Sequence, residues 1–146
     1  MNSEKYLHKD VFGKYSYSGS LFVEGSGMNQ IIYGHNMRNG TMFGSLKRLR
    51  DKEILKKNRY FTIYTRNGVY RYLIFSLFET KVGSKVYSTN FEADQGYEAY
   101  LSFLKDHSEI CLKTSPNKDT PTVILSTCAE GGSKRFVVCG MLVGKL

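Results

Sequence analysis

Read for apolar spacing alone, the chain alternates between short strand-like runs and two stretches with a helical period. Gly19 to Val23 reads as a strand and Glu24 to Asn29, with its two glycines, as a turn. Gln30 to Tyr33 is a short apolar strand that stops at Gly34-His35, and Gly40 to Gly44 reads as loop. Tyr60 to Thr65 and Val69 to Phe78 flank Arg66-Asn67-Gly68, whose Asn-Gly pair is a hairpin signal. Val123 to Thr127 and Phe136 to Val143 are nearly continuous apolar runs, the pattern of strands buried on both faces. Helical spacing occurs twice. Ser45 to Asn58 carries Leu46, Leu49, Ile54 and Leu55 behind a capping Ser45. Asp94 to His107 sets Tyr97, Tyr100, Leu101 and Leu104 at i, i+3, i+4 and i+7, an arrangement that favours core contacts over a ligand box. These elements predict a mainly β fold: a largely antiparallel, barrel-like sheet with one or two helical insertions.

At 146 residues the chain suits one domain spanning 1–146. An apolar content of 41% argues for a folded globule, and eleven tyrosines and nine phenylalanines suit half-buried strands. The net charge of +8 is concentrated in Lys47, Arg48, Arg50, Lys52, Lys56, Lys57 and Arg59. Such a run either solvates a helix face or attracts a polyanion such as nucleic acid, an anionic bilayer or an acidic wall polymer. No run of about 18 apolar residues occurs, so no segment reads as a membrane span. Met1 to Asp10 does not read as a signal peptide.

Three cysteines without a C-x-x-C pair argue against a disulfide scaffold and a structural zinc site, and the three histidines lack metal-ligand spacing. Cys139 lies inside an apolar strand, where a thiol behaves as a small hydrophobe, and Cys111 falls in a polar stretch. Cys128 differs, ending a strand just before Ala-Glu-Gly-Gly-Ser-Lys. His35 also ends a strand. Two strand ends opening onto one rim would bring a thiol to an imidazole able to take its proton. Acyl transfer also needs a donor for the developing oxyanion, and Arg135, opening the strand after the Cys128 loop, is a candidate fork. Pattern alone leaves each of these residues open to a plain structural role.

Several segments resemble a known family. Ile31-Ile32-Tyr33-Gly34-His35-Asn36-Met37 followed by Gly40-Thr41-Met42-Phe43 is similar to the catalytic-histidine segment of class B sortases. Leu125-Ser126-Thr127-Cys128 resembles their T-L-S-T-C strand, and Lys134-Arg135-Phe136-Val137-Val138 their catalytic-arginine strand. Tyr15-Ser16 with Gly19-Ser20-Leu21-Phe22 resembles the G-S-I-F segment, and Tyr87-Ser88-Thr89-Asn90-Phe91 the insertion that marks class B. The resemblance implies an eight-stranded sortase barrel and a cysteine transpeptidase at the extracellular face of the cell membrane. Its partners would be surface proteins with a C-terminal sorting signal, and an amine from a peptidoglycan precursor or a pilin. It assigns Cys128 as nucleophile, His35 as general acid/base and Arg135 as oxyanion stabiliser, with Leu7, Tyr87 and Ser126 along the peptide groove. No metal or organic cofactor is implied.

Two departures from the family pattern carry expectations of their own. Cys128 and Arg135 stand seven positions apart, about three fewer than the class leads one to expect, so the loop between them is short. The family's N-terminal helices and first strand pair have no counterpart here. A trimmed or naturally short chain is the expectation, with exposed strand edges that invite a strand-mediated dimer. Two other readings compete: an inactive sortase-like remnant that binds peptide, and a basic barrel that grips nucleic acid by phosphate contacts and stacking. The aromatics sit in strand patterns instead of forming an exposed set, so no nucleic-acid partner is expected.

Overall fold

The computed structural model describes residues 22–25, 27–35, 46–128 and 133–146, with positions 22, 35 and 128 described by their backbone alone. Among the described residues six strands form one sheet: β1 (Phe22–Glu24), β2 (Asn29–His35), β3 (Tyr60–Thr65), β4 (Gly68–Lys81), β5 (Thr122–Cys128) and β6 (Lys134–Lys145). Their spatial order is β1-β2-β5-β6-β4-β3, so the last strand of the chain lies in the interior of the sheet. All neighbours run antiparallel except β2 and β5, which are parallel. The expectation of a mainly β, mainly antiparallel sheet agrees with this; the parallel pair is a feature that local pattern did not foretell.

The Asn-Gly hairpin is present, displaced by one position. Arg66 and Asn67 form the turn, and Gly68 opens β4 paired with Thr65, at φ +145°. That positive φ is what calls for glycine here, since the nearest neighbour, the end of the Lys145 side chain, is free to move aside.

Alternation along the central strands explains their continuous apolarity. Ile124, Val137 and Cys139 face one cluster with Phe75, Phe78 and the helix α2 (Ala93–His107), through Tyr97, Tyr100, Leu101 and Leu104. Val123, Leu125, Phe136 and Val138 face a second cluster with Ile74, Leu77 and Leu55. Leu55 belongs to α1 (Lys52–Lys57), so each face of the sheet is covered by one helix. Burying a large aliphatic or aromatic side chain contributes roughly 1.5–3 kcal/mol, and twelve of the largest here are fully buried.

The helix expected over Ser45 to Asn58 is broken in two. A 3-10 turn spans Leu46–Arg50, and α1 starts afresh because the Asp51 carboxylate accepts from the amides of Glu53 and Ile54. A side chain that caps its own backbone there interrupts one helix and starts the next. Ser45 lies outside the described residues, as do Gly19 to Leu21 of the first expected strand and the expected loop Gly40 to Gly44. Arg50 fastens the 3-10 turn to the sheet: its fork meets both Glu109 carboxylate oxygens at 2.9 Å and Glu79 at 3.3 Å, and stacks over Phe136.

Asn29 organises the start of the parallel pair. Fully buried, it donates to the Ser88 carbonyl at 2.9 Å and the Tyr100 hydroxyl at 2.8 Å, and accepts from Thr122 at 2.8 Å. The Tyr100 hydroxyl in turn donates to the Val86 carbonyl. One side chain therefore joins β2, β5, α2 and the turn at Lys85–Tyr87. Asn29→Ala is expected to cost about 2–3 kcal/mol, because it strands several buried polar groups at once. Urea denaturation checks this; a loss under about 0.5 kcal/mol would remove the network from the account of the fold.

Candidate active site

The parallel pairing of β2 with β5 brings distant residues into register. Tyr33 stands beside Ser126, Gly34 beside Thr127, and His35 beside Cys128 at the shared C-terminal end of both strands. His35 and Cys128, 93 positions apart in sequence, are thus neighbours at the backbone. On the other side of β5, Leu125 pairs with Val138 and Ser126 with Val137. The ladder is then continued by a side chain, the Thr127 hydroxyl accepting from the Phe136 amide at 2.9 Å. The next positions along this edge are Cys128 and Arg135.

Strand alternation also puts these three positions on one face. Ile31 and Tyr33 precede His35 at even spacing, Ile124 and Ser126 precede Cys128, and Arg135 precedes Val137 and Cys139. All of those neighbours belong to or border the cluster packed under α2, except Ser126, which is buried between the same strands. Arg135 is half-buried, opens β6 beside Thr80 of β4, and donates to the Lys134 carbonyl at 2.9 Å.

Two of the expected groove residues meet each other. The Tyr87 and Ser126 hydroxyls are 2.8 Å apart, with Ser126 fully buried and Tyr87 half-buried above it. Leu7, the third, lies outside the described residues. Tyr33, which sequence reasoning treated only as part of a motif, stacks on Tyr87 at 5.9 Å, and its hydroxyl donates to Glu24 at 2.8 Å. A hydrogen-bonded, stacked wall of Glu24, Tyr33, Tyr87 and Ser126 therefore stands two residues below the His35–Cys128 pair. The signal that would have found Tyr33 is its spacing of two from His35, which places both on one strand face.

The remaining cysteines separate cleanly. Cys139 is fully buried, and burial pushes its thiol well above the ordinary range, so it stays protonated and inert. Cys111 is exposed, as its polar surroundings suggested. His107 caps the end of α2, its Nδ1 2.9 Å from the Phe103 carbonyl. No group of three metal-ligating side chains comes together among the described residues. Among the same residues, no helix is long and apolar enough to cross a membrane.

The family model for the sortase domain matches residues 2–143. Sortase B of Listeria monocytogenes is 29% identical over 99% of this chain and 62% of its own length. The chain thus spans less than two thirds of that relative. A Bacillus anthracis protein described as similar to sortase B superposes with a TM-score of 0.87 at 30% identity, covering 99% of this chain and 68% of that one. A Staphylococcus aureus sortase B–substrate complex superposes at 0.90 and 26% identity, over 97% and 69%. With its domain matched almost from end to end and its sheet shared with these structures, the chain belongs to the sortase family, in the company of its class B members.

Proposed function

We propose that the chain is the catalytic part of a cysteine transpeptidase that cleaves a cell-wall sorting signal and joins the upstream fragment to an amine. The observation that most supports this reading is the register pairing of His35 with Cys128 at the end of two parallel strands. In the first half-reaction the Cys128 thiolate attacks the scissile carbonyl carbon. The C–N bond then breaks, and the departing amine takes a proton from the His35 imidazolium, leaving a thioacyl enzyme. In the second, neutral His35 accepts a proton from the incoming amine as its nitrogen displaces the Cys128 sulfur. Arg135 faces the carbonyl oxygen while it carries negative charge in both halves.

The other residues position the peptide. Tyr87 offers a ring beside the nucleophile, and Ser126 holds that ring through its hydroxyl. Leu7 completes the groove in this reading. Surface proteins bearing a C-terminal sorting signal are the donors, and an amine of cell-wall peptide or a pilin lysine is the acceptor, at the extracellular face of the membrane. Among the described strands β1 and β3 are the outermost, and in this reading pairing with a second copy would run through them.

Incubation with a panel of sorting-signal peptides, followed by intact mass, tests the proposal. The expected result is a gain equal to the acyl fragment, mapped to Cys128 and released by hydroxylamine. Absence of any adduct across the panel, or an adduct on Cys111 instead, would overturn it.

A further inference from the structure

The basic run at 47–59 takes no part in the chemistry above, and its surroundings give it a definite character. Lys47, Arg48, Lys52, Lys56 and Lys57 are all exposed, and none has a carboxylate partner among the described residues. The acidic groups nearby are engaged elsewhere. The Asp51 carboxylate caps α1, while Glu79 and Glu109 are taken up by Arg50. Five cations therefore stand against two exposed carboxylates, those of the capping Asp51 and of Glu53.

Apolar clefts flank this ridge on both sides. One, of about 490 Å³, has Leu46, Leu49, Phe61 and Leu125 in its lining, with Arg48 and Lys57 alongside. The other, of about 300 Å³, is lined by Leu55, Ile110 and Leu112, with Lys52, Lys56 and Arg59. Cations bordering apolar clefts form an amphipathic surface, with charge for phosphate headgroups and apolar area for the acyl boundary. A soluble polyanion would use the charge and gain nothing from the clefts.

Orientation adds a further argument. The ridge covers the sheet face that carries Val123, Leu125, Phe136 and Val138. Positions 35, 128 and 135 alternate onto the opposite face, the one under α2. A body resting on the α1 ridge would leave the α2 side of the molecule turned toward solution.

We propose that the α1 ridge is a docking surface for an anionic phospholipid bilayer, through Lys47, Arg48, Lys52, Lys56 and Lys57. Each cation brought to an anionic leaflet strengthens partition about fivefold. This surface is independent of the transpeptidase reading, because vesicle binding requires no turnover.

Flotation of the full chain with vesicles tests it. The vesicles are phosphatidylcholine alone, or phosphatidylcholine with roughly 30 mol% phosphatidylglycerol, enough anionic lipid to give the bilayer a negative surface potential. Binding is expected only with the anionic lipid, and weakens as salt is raised. Lys52→Gln/Lys56→Gln/Lys57→Gln should lower partition by on the order of tenfold to a hundredfold. Lys81→Gln/Lys85→Gln/Lys118→Gln, which removes the same charge elsewhere, should lower it far less. Thermal denaturation of both variants shows whether they fold. Equal losses in the two variants would mean that net charge alone acts, and would overturn the proposal. Equal binding to neutral vesicles, or capture by soluble polyphosphate without capture by anionic vesicles, would overturn it as well.

Discussion

Cys128→Ala is expected to abolish cleavage of a sorting-signal peptide, by about 10⁴-fold or more, while the fold persists. Without the sulfur no thioacyl bond forms, and a methyl in place of a thiol at a strand end costs little packing. Cys111 and Cys139 supply the internal controls. Cys111 is exposed and has no role in the proposed chemistry, so Cys111→Ala should keep full activity. Cys139 is fully buried, and Cys139→Ala should lower stability modestly with little effect on turnover. A peptide-cleavage assay on the three variants decides. Similar losses in all three would point to a damaged fold and sink the assignment of Cys128.

The second large effect is expected at Arg135. Arg135→Ala should lower kcat/KM by about 10²- to 10³-fold, the usual cost of removing one oxyanion donor. Arg135→Lys should restore little, since an ammonium lacks the planar fork and carries its charge at a different reach. The arginine is held from behind: Glu79 pairs in register with Phe136, Lys134 meets Glu79 at 3.5 Å, and the Thr127 hydroxyl secures the Phe136 amide. Kinetics with a fixed peptide should place most of the loss in kcat, because the contact strengthens as charge develops. Full activity in Arg135→Lys would instead make position 135 a general electrostatic contributor.

Much of the scaffold was legible because its signals are local. The 60–78 hairpin announced itself through alternation around Asn-Gly, and α2 through four apolar side chains at helical spacing. The doubly buried character of β5 and β6 was written in their unbroken apolar runs. What stayed hidden depends on partners far away in sequence. The parallel union of β2 and β5 has no short-range signature, since both strands are equally compatible with antiparallel neighbours. The split of the first helix turned on the carboxylate of Asp51 choosing its own backbone, which apolar spacing does not register. For the site, the type of each residue and its strand-end setting were readable. Their adjacency depends on the register of two strands far apart in sequence, which pattern leaves open and family resemblance implies. Tyr33 is one of eleven tyrosines, and its stacking on Tyr87 and bond to Glu24 depend on partners that strand pattern alone does not reveal.

The interior place of β6 bears on how the protein comes into being. Later in the chain than β4 and β5, this strand must enter between them, contributing the longest of the pairings in the sheet. Until it arrives, no strand pairing among the described residues joins the β1-β2-β5 half to the hairpin. The pairing of β6 with β5 is local, but its partners on β4 lie 53 to 75 positions away, and contacts so remote close slowly. Before β6 docks, the strand ends that bear positions 35 and 128 therefore belong to a half-sheet not yet welded to the hairpin, so insertion of that one strand is the step that makes the sheet whole.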